Sequence, residues 1–230
     1  MPKLWIAKAL PLASAAWLCN CGDRTASDAP APPPSREWVT LLDGASLDGW
    51  QRLDFDGTGG AVTVADGAIY FDRGAPFTGL VIADPDFAPP AVEYEIITRC
   101  RKTDGRDFFC ALTFPVPEKN SHCTFVAGGW GGGVTGLSNI DHLDANRNGT
   151  RAVLRYETGR WYELRVEVRR NRIRCWVDDR LVTRAHIADK HISLRPGGVE
   201  ACAPLGLASY ETATEFSALR LRALPPEITR

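Results

Sequence analysis

Polar and apolar residues in this chain alternate by twos far more often than they recur every three or four positions. The cleanest stretch is residues 161–169: Tyr162, Leu164, Val166 and Val168 fall on one side, Glu163, Arg165, Glu167 and Arg169 on the other. A strand with one buried and one wet face reads this way. Arg170-Asn171 is a turn pair, and residues 172–177 return with Ile173, Cys175 and Val177 on the buried side. Asp178-Asp179 then turns the chain into a third strand at 180–183. Asn and Asp suit such turns because their side chains hydrogen-bond the local backbone. Residues 92–99 alternate for most of their length, and 108–114 form an apolar strand that stops at Pro115. Two more strands lie at 205–210 and 216–224. Residues 38–42 open the domain, and the first and last strands are expected to be neighbours. Helical periodicity is nearly absent and βαβ alternation is missing, so many short strands between turn signals predict an all-β sandwich or barrel.

The first residues read differently. Lys3 and Lys8 supply a positive start, and residues 9–18 are an apolar run too short to span a bilayer. Residues 1–21 are therefore expected to be a signal peptide. Ala13-Ser14-Ala15 offers an A-x-A cleavage site. The competing reading is a lipoprotein signal, in which Leu18 stands three residues before a lipidated Cys21. Residues 22–36, rich in proline, read as an extended tether with too little apolar content to fold. The sandwich is expected over residues 37–224, with a tail at 225–230. This arrangement predicts an exported protein, periplasmic or at the cell surface, that meets a membrane only through a lipid anchor.

Charge narrows the partners. With 27 basic and 28 acidic side chains the net charge is −1, so composition offers no single-sign field for nucleic acid. Outside the leader the cysteines are Cys100, Cys110, Cys123, Cys175 and Cys202, an odd set without C-x-x-C spacing. They read as small buried residues on strands, with a disulfide among them as the alternative in an exported chain.

Several segments resemble one family. Leu41-Leu42-Asp43-Gly44-Ala45-Ser46-Leu47-Asp48-Gly49-Trp50 is similar to the L-F-D-G-x-S-L-x-G-W opening of 3-keto-disaccharide hydrolase domains. Ala65-Asp66-Gly67-Ala68-Ile69 resembles the family's x-D-G-x-L strand turn. Residues 159–166, 178–182 and 216–221 resemble its later strands. The resemblance implies a concanavalin A-like jelly roll of two antiparallel sheets and a carbohydrate or glycoside ligand on the concave face or its rim. It also implies cleavage of 3-keto glycosides by elimination and hydration. The chain departs from the family where N-S-G-I/V is usual, having residues 107–112, and where G-x-I-x-L-Q-x-H is usual, having Pro204–Tyr210 without a His. A non-catalytic, lectin-like surface module is the alternative.

The most unusual stretch is the central loop expected over Gly128–Asp144, with six glycines in the nine residues 128–136. Such a segment is costly to order and is kept where backbone must approach another group closely. Trp130 could stack on the apolar face of a sugar ring. Trp130, Gly131, Gly132 and Asp107 are therefore the expected substrate contacts. Asp141, His142 and Asp144 follow directly. A 3-keto sugar has an acidic proton at C2, and His142 could act as the base that removes it while Asp141 and Asp144 orient it. Asp144-Ala145-Asn146-Arg147-Asn148-Gly149 matches the first half of a D-x-N-x-N-G calcium loop. Position twelve would be Arg155, so an EF-hand is excluded, and Asp144, Asn146 and Asn148 remain candidate ligands of a divalent cation such as calcium. No E-x-D-x-x-E strand is present, which argues against ordinary two-carboxylate glycosidase chemistry.

Overall fold

The computed structural model describes residues 37–84, 87–118 and 120–227. The leader, Cys21 and the tether lie outside the described residues. Among the described residues there are fifteen strands: β1 (Val39–Leu42), β2 (Trp50–Arg52), β3 (Val62–Ala65), β4 (Ala68–Phe71), β5 (Phe77–Ile82), β6 (Tyr94–Gly105), β7 (Cys110–Pro115) and β8 (His122–Gly128), then β9 (Val134–Ser138), β10 (Ala152–Val153), β11 (Tyr162–Arg169), β12 (Arg172–Val177), β13 (Arg180–His186), β14 (Gly206–Tyr210) and β15 (Thr212–Ala223). They form two antiparallel sheets. The first has the order β13-β12-β11-β6-β15-β4-β3, with β1 added beside β15; the second has β10-β9-β8-β7-β14-β5-β2. The fold is an all-β sandwich, as the alternation predicted.

Local chemistry explains the elements. In β11 the apolar set Tyr162, Leu164, Val166 and Val168 is buried. Its register against β6 and β12 is fixed because a slip of one residue would turn that set to water. The β3–β4 hairpin closes on Asp66-Gly67, both at positive φ, the pair that a tight two-residue turn requires. The first and last strands are neighbours: Val39 pairs with Leu221.

The core lies between the sheets. Ile96, Leu164, Val166 and Leu219 from the first sheet meet Leu112, Phe125, Leu137 and Leu207 from the second, all nearly inaccessible to water. The Tyr94 hydroxyl on β6 donates to the Pro115 carbonyl on β7 and so ties the sheets together. The five cysteines of the domain are free and buried. Burial pushes the Cys123 and Cys202 thiols up to about 12, so both stay protonated near neutrality.

Part of the glycine-rich stretch is strand rather than loop. Val134–Ser138 is β9, paired with β8 and fully buried. The connection between β8 and β9 is a turn entered from Gly128 and built from left-handed residues: Gly128, Trp130, Gly131 and Gly132 all have positive φ. Trp130 is the residue with a side chain among them. Its φ of 52° is a conformation that costs a non-glycine residue about 1 kcal/mol or more.

Candidate functional site

The second sheet turns its inner face to the core and leaves the other open. Leu112, Phe125, Leu137 and Leu207 point inward. Their strand neighbours Thr124, Val126, Ser138 and Tyr210 therefore point out, into a cavity of about 390 Å³. Its wall is completed by Pro76, Phe77, Asp107, Phe108, Trp130 and the segment from Arg195 to Val199. That volume is at the small end for ligand sites, which span about 300–1,000 Å³.

Asp107 and Trp130 are brought together there by one hydrogen-bonded bridge. The Asp107 carboxylate accepts the Phe108 N–H through Oδ1 at 2.8 Å and the Gly131 N–H through Oδ2 at 2.9 Å. The turn that carries Trp130 is thus pinned to the head of β7. Gly131 takes part through its backbone at φ 83°. The Asp107 main chain is fixed in turn by Thr212, whose hydroxyl accepts its N–H and donates to its carbonyl. Gly132 passes close to the Arg106 carbonyl, where an added Cβ would come within 3.1 Å.

Arg195 is the cation of this wall. Asn139 and Ser193 exchange backbone hydrogen bonds, and the Asn139 amide donates to the Leu194 carbonyl. This pairing delivers Arg195 beside Ser138. Its guanidinium lies 5.3 Å from the centroid of the Trp130 ring. One face of the indole is therefore occupied by a cation rather than left bare. Aromatic rings form the opposite side: Phe77 meets Tyr210 edge-on at 5.0 Å, and Phe108 lies 5.5 Å from Tyr210. The loop at 197–198 closes over Phe77, and a Cβ on Gly198 would fall 2.6 Å from that ring. Glu200 caps the loop by accepting the N–H groups of Gly197 at 2.9 Å and Gly198 at 2.6 Å. Partial burial alone would raise its pKa, but these and its own backbone N–H outweigh it and hold the carboxyl below the usual glutamate range.

The structure places Asp141, His142 and Asp144 away from this wall. Asp141 is exposed, pairs with Lys190 at 2.7 Å and accepts the His191 N–H. The Lys190 hydrogen bond is the main cause that lowers its pKa. His142 stacks on His191 at 4.5 Å, on the same outer surface. Asp144 is buried, caps the Asn146 N–H and holds Arg147 at 3.0 Å.

The calcium-like turn is satisfied by the protein itself. Asp144 is neutralised by Arg147, the Asn146 Oδ1 accepts from Arg151, and the Asn148 Oδ1 accepts from the Thr150 N–H and hydroxyl. A cation there would have to displace two guanidinium groups, so these residues do not suit one. Among the described residues no group of three or more His, Cys, Asp or Glu is arranged to hold a metal.

Of the expected contacts, then, Trp130 and Asp107 line the cavity, and Gly131 and Gly132 build the turn beside it. Arg195, Tyr210, Phe77, Ser138 and Thr124 were not legible as site residues. The signal available for Arg195 was the Pro196-Gly197-Gly198 turn that follows it.

The fold and this open face define an antiparallel β-sandwich with a ligand-sized cavity on one sheet. The model of the 3-keto-alpha-glucoside-1,2-lyase-like domain matches residues 37–222, and the chain belongs to that family. Its function is carbohydrate-related. No curated protein matches the sequence. Among solved structures, the metal-free carbohydrate recognition domain of Emp46p is similar over 82% of this chain and 99% of that one (12% identity, TM-score 0.54). A native glycosidic hydrolase is similar over 84% and 100% (10% identity, TM-score 0.52), and apo Crh5 transglycosylase over 85% and 89% (8% identity, TM-score 0.54). At these identities the likeness is one of fold.

Proposed function

We propose that the cavity beside Trp130 binds a 3-keto glycoside and that the protein cleaves it by elimination followed by hydration. The observation that carries this reading is the meeting of a fixed carboxylate, Asp107, and a guanidinium, Arg195, on one wall of a sugar-sized cavity. In this reading Asp107 takes the C2 proton, and the electron pair moves into the C2–C3 bond as the ketone oxygen gains charge. Arg195 stabilises that oxygen. The pair then forms the C1–C2 double bond and expels the anomeric oxygen, which takes up the proton held on Asp107 and leaves as the neutral aglycone. Water added across that bond restores the sugar. One base and one electrophile suffice, which agrees with a wall that holds a single carboxylate.

The test supplies a 3-keto glucoside with a nitrophenyl aglycone to the full chain and follows release of the phenol. Asp107→Asn is expected to slow release about a hundredfold or more, the scale of a lost general base. A specific observation favours a second reading, sugar binding without cleavage: both Asp107 oxygens already accept backbone N–H groups. Calorimetric binding with no phenol release would select it; neither binding nor release would remove both. Export to the periplasm or cell surface belongs to the same proposal. It rests on the sequence of residues 1–36, and recovery of the mature chain from the cytoplasm with its first residues intact would refute it.

A further inference from the structure

The outer face of the first sheet, opposite to the cavity, is an ordered lattice of arginine, glutamate and tryptophan. One row crosses five strands by direct pairing: Arg184 on β13, Arg174 on β12, Glu167 on β11, Glu95 on β6 and Arg222 on β15. Two glutamates side by side would repel. Each is instead buried beneath guanidinium groups. Glu95 accepts from Arg165 at 3.1 Å and Arg222 at 2.8 Å, and Glu167 takes a two-oxygen bond from Arg174 at 2.6 and 2.8 Å. The carboxylates lie below and the cations face water.

Tryptophans stiffen the same face. Trp176 lies under Arg165 at 3.8 Å, Trp161 under Arg101 at 4.7 Å and Arg99 at 5.0 Å, and Trp38 under Arg222 at 4.4 Å. A guanidinium laid flat on an indole keeps its N–H edge free and loses little further freedom on binding. After the internal pairs are made, two exposed arginines are left outside them: Arg184, and Arg99, which stands opposite the exposed Glu163 in the β6–β11 register without closing an ion pair with it. Overall composition hides this surface, because a net charge of −1 averages over all sides of the molecule.

We infer that this face docks an anionic polysaccharide bearing a carboxylate on its sugar rings. Planar guanidinium groups match carboxylates with two parallel hydrogen bonds. Neighbouring strands stand about 4.8 Å apart, so Arg184 and Arg174, the two adjacent cations of the row, are spaced on the scale of a sugar ring. The partly exposed indole edges between them offer apolar surface to the ring carbons. The inference is independent of chemistry in the cavity: the polymer is held on the back of the sandwich while the other sheet meets its own ligand.

The test measures binding of polygalacturonate to the full chain, with neutral dextran, phosphatidylserine vesicles and a DNA duplex as parallel probes. Polygalacturonate is expected to bind, to weaken steeply with added salt and to be preferred to the other three. The double variant Arg99→Gln/Arg184→Gln is expected to bind roughly tenfold more weakly, since two exposed charge pairs are lost, with its melting temperature and its keto-glycoside behaviour unchanged. Equal binding of dextran, preference for vesicles or DNA, or full affinity in the double variant would each overturn the inference. Because the readout is polymer binding, its failure is distinct from failure of the cavity reading.

Discussion

Removing the Asp107 carboxylate tests the bridge that positions the site. In Asp107→Asn the side-chain oxygen can still accept from Phe108, but an amide NH2 then faces the Gly131 N–H, donor against donor. A hydrogen bond to a charged acceptor contributes about 1.5–3 kcal/mol. Gly131 is exposed, and water can replace the lost partner, so about 1 kcal/mol is expected for this substitution. Asp107→Ala removes both bonds and should cost about 2 kcal/mol. For a domain of this size each kcal/mol lowers the melting temperature by about 2–4 °C, giving a drop of about 2–4 °C for the amide and 4–8 °C for alanine. Thermal unfolding followed by circular dichroism measures this directly. Thr212→Val supplies the contrast. It removes the bonds to the Asp107 backbone but not those to its carboxylate, so stability falls while sugar affinity declines less than in Asp107→Ala. If Asp107→Ala melts with the parent and keeps its ligand affinity, the bridge does not organise the site and the reasoning fails.

Other consequences are open to measurement. Arg195→Met keeps the stem over Trp130 but removes the charge; the fold should be retained while keto-glycoside binding or turnover falls about tenfold or more, and an unchanged rate would dismiss Arg195 as the electrophile. Leu112→Ala, at the centre of the core, should cost about 2–5 kcal/mol in urea unfolding. The Glu200 cap has a folded pKa depressed below its unfolded value, so its contribution is present above about pH 4.3 and is lost as pH falls through the folded pKa. The protection factors of the Gly197 and Gly198 amides, taken relative to the intrinsic exchange rate at each pH, should therefore fall on acidification, and Glu200→Gln should show weakened protection even at neutral pH. Asp141→Asn should change neither ligand affinity nor melting temperature, because its pairing with Lys190 is on the open surface; a loss of turnover would return the site to that surface.

The order of the strands and the lining of the cavity differ sharply in how far local patterns reveal them. Strand β12 follows residues 172–177 as the alternation predicts, and β11 starts within one residue of its expected position. Period-two burial is a property of adjacent residues, and it survives in any sheet that covers one face. Segment 134–138 hid among glycines and read as loop, because Gly136 interrupts the side-chain pattern where the strand passes close to Thr150.

Asp107 and Trp130 could be nominated from the sequence because each stands at an unusual turn. That they share a wall depends on a hydrogen bond between residues 24 apart. Arg195 reaches the same wall through the pairing of Asn139 with Ser193. Asp141, His142 and Asp144 seemed a constellation because they are adjacent in the chain, yet they face the outer surface or the interior of their own turn. Charge shows the same division. Composition determined that the molecule is nearly neutral, and alternation determined that β11 has a polar side. Only the register of five strands decided that the arginines would share a face and the glutamates would lie beneath them. Chain spacing is a distance along one strand, whereas a site is a distance across several, and hydrogen bonding between remote strands sets the second independently of the first.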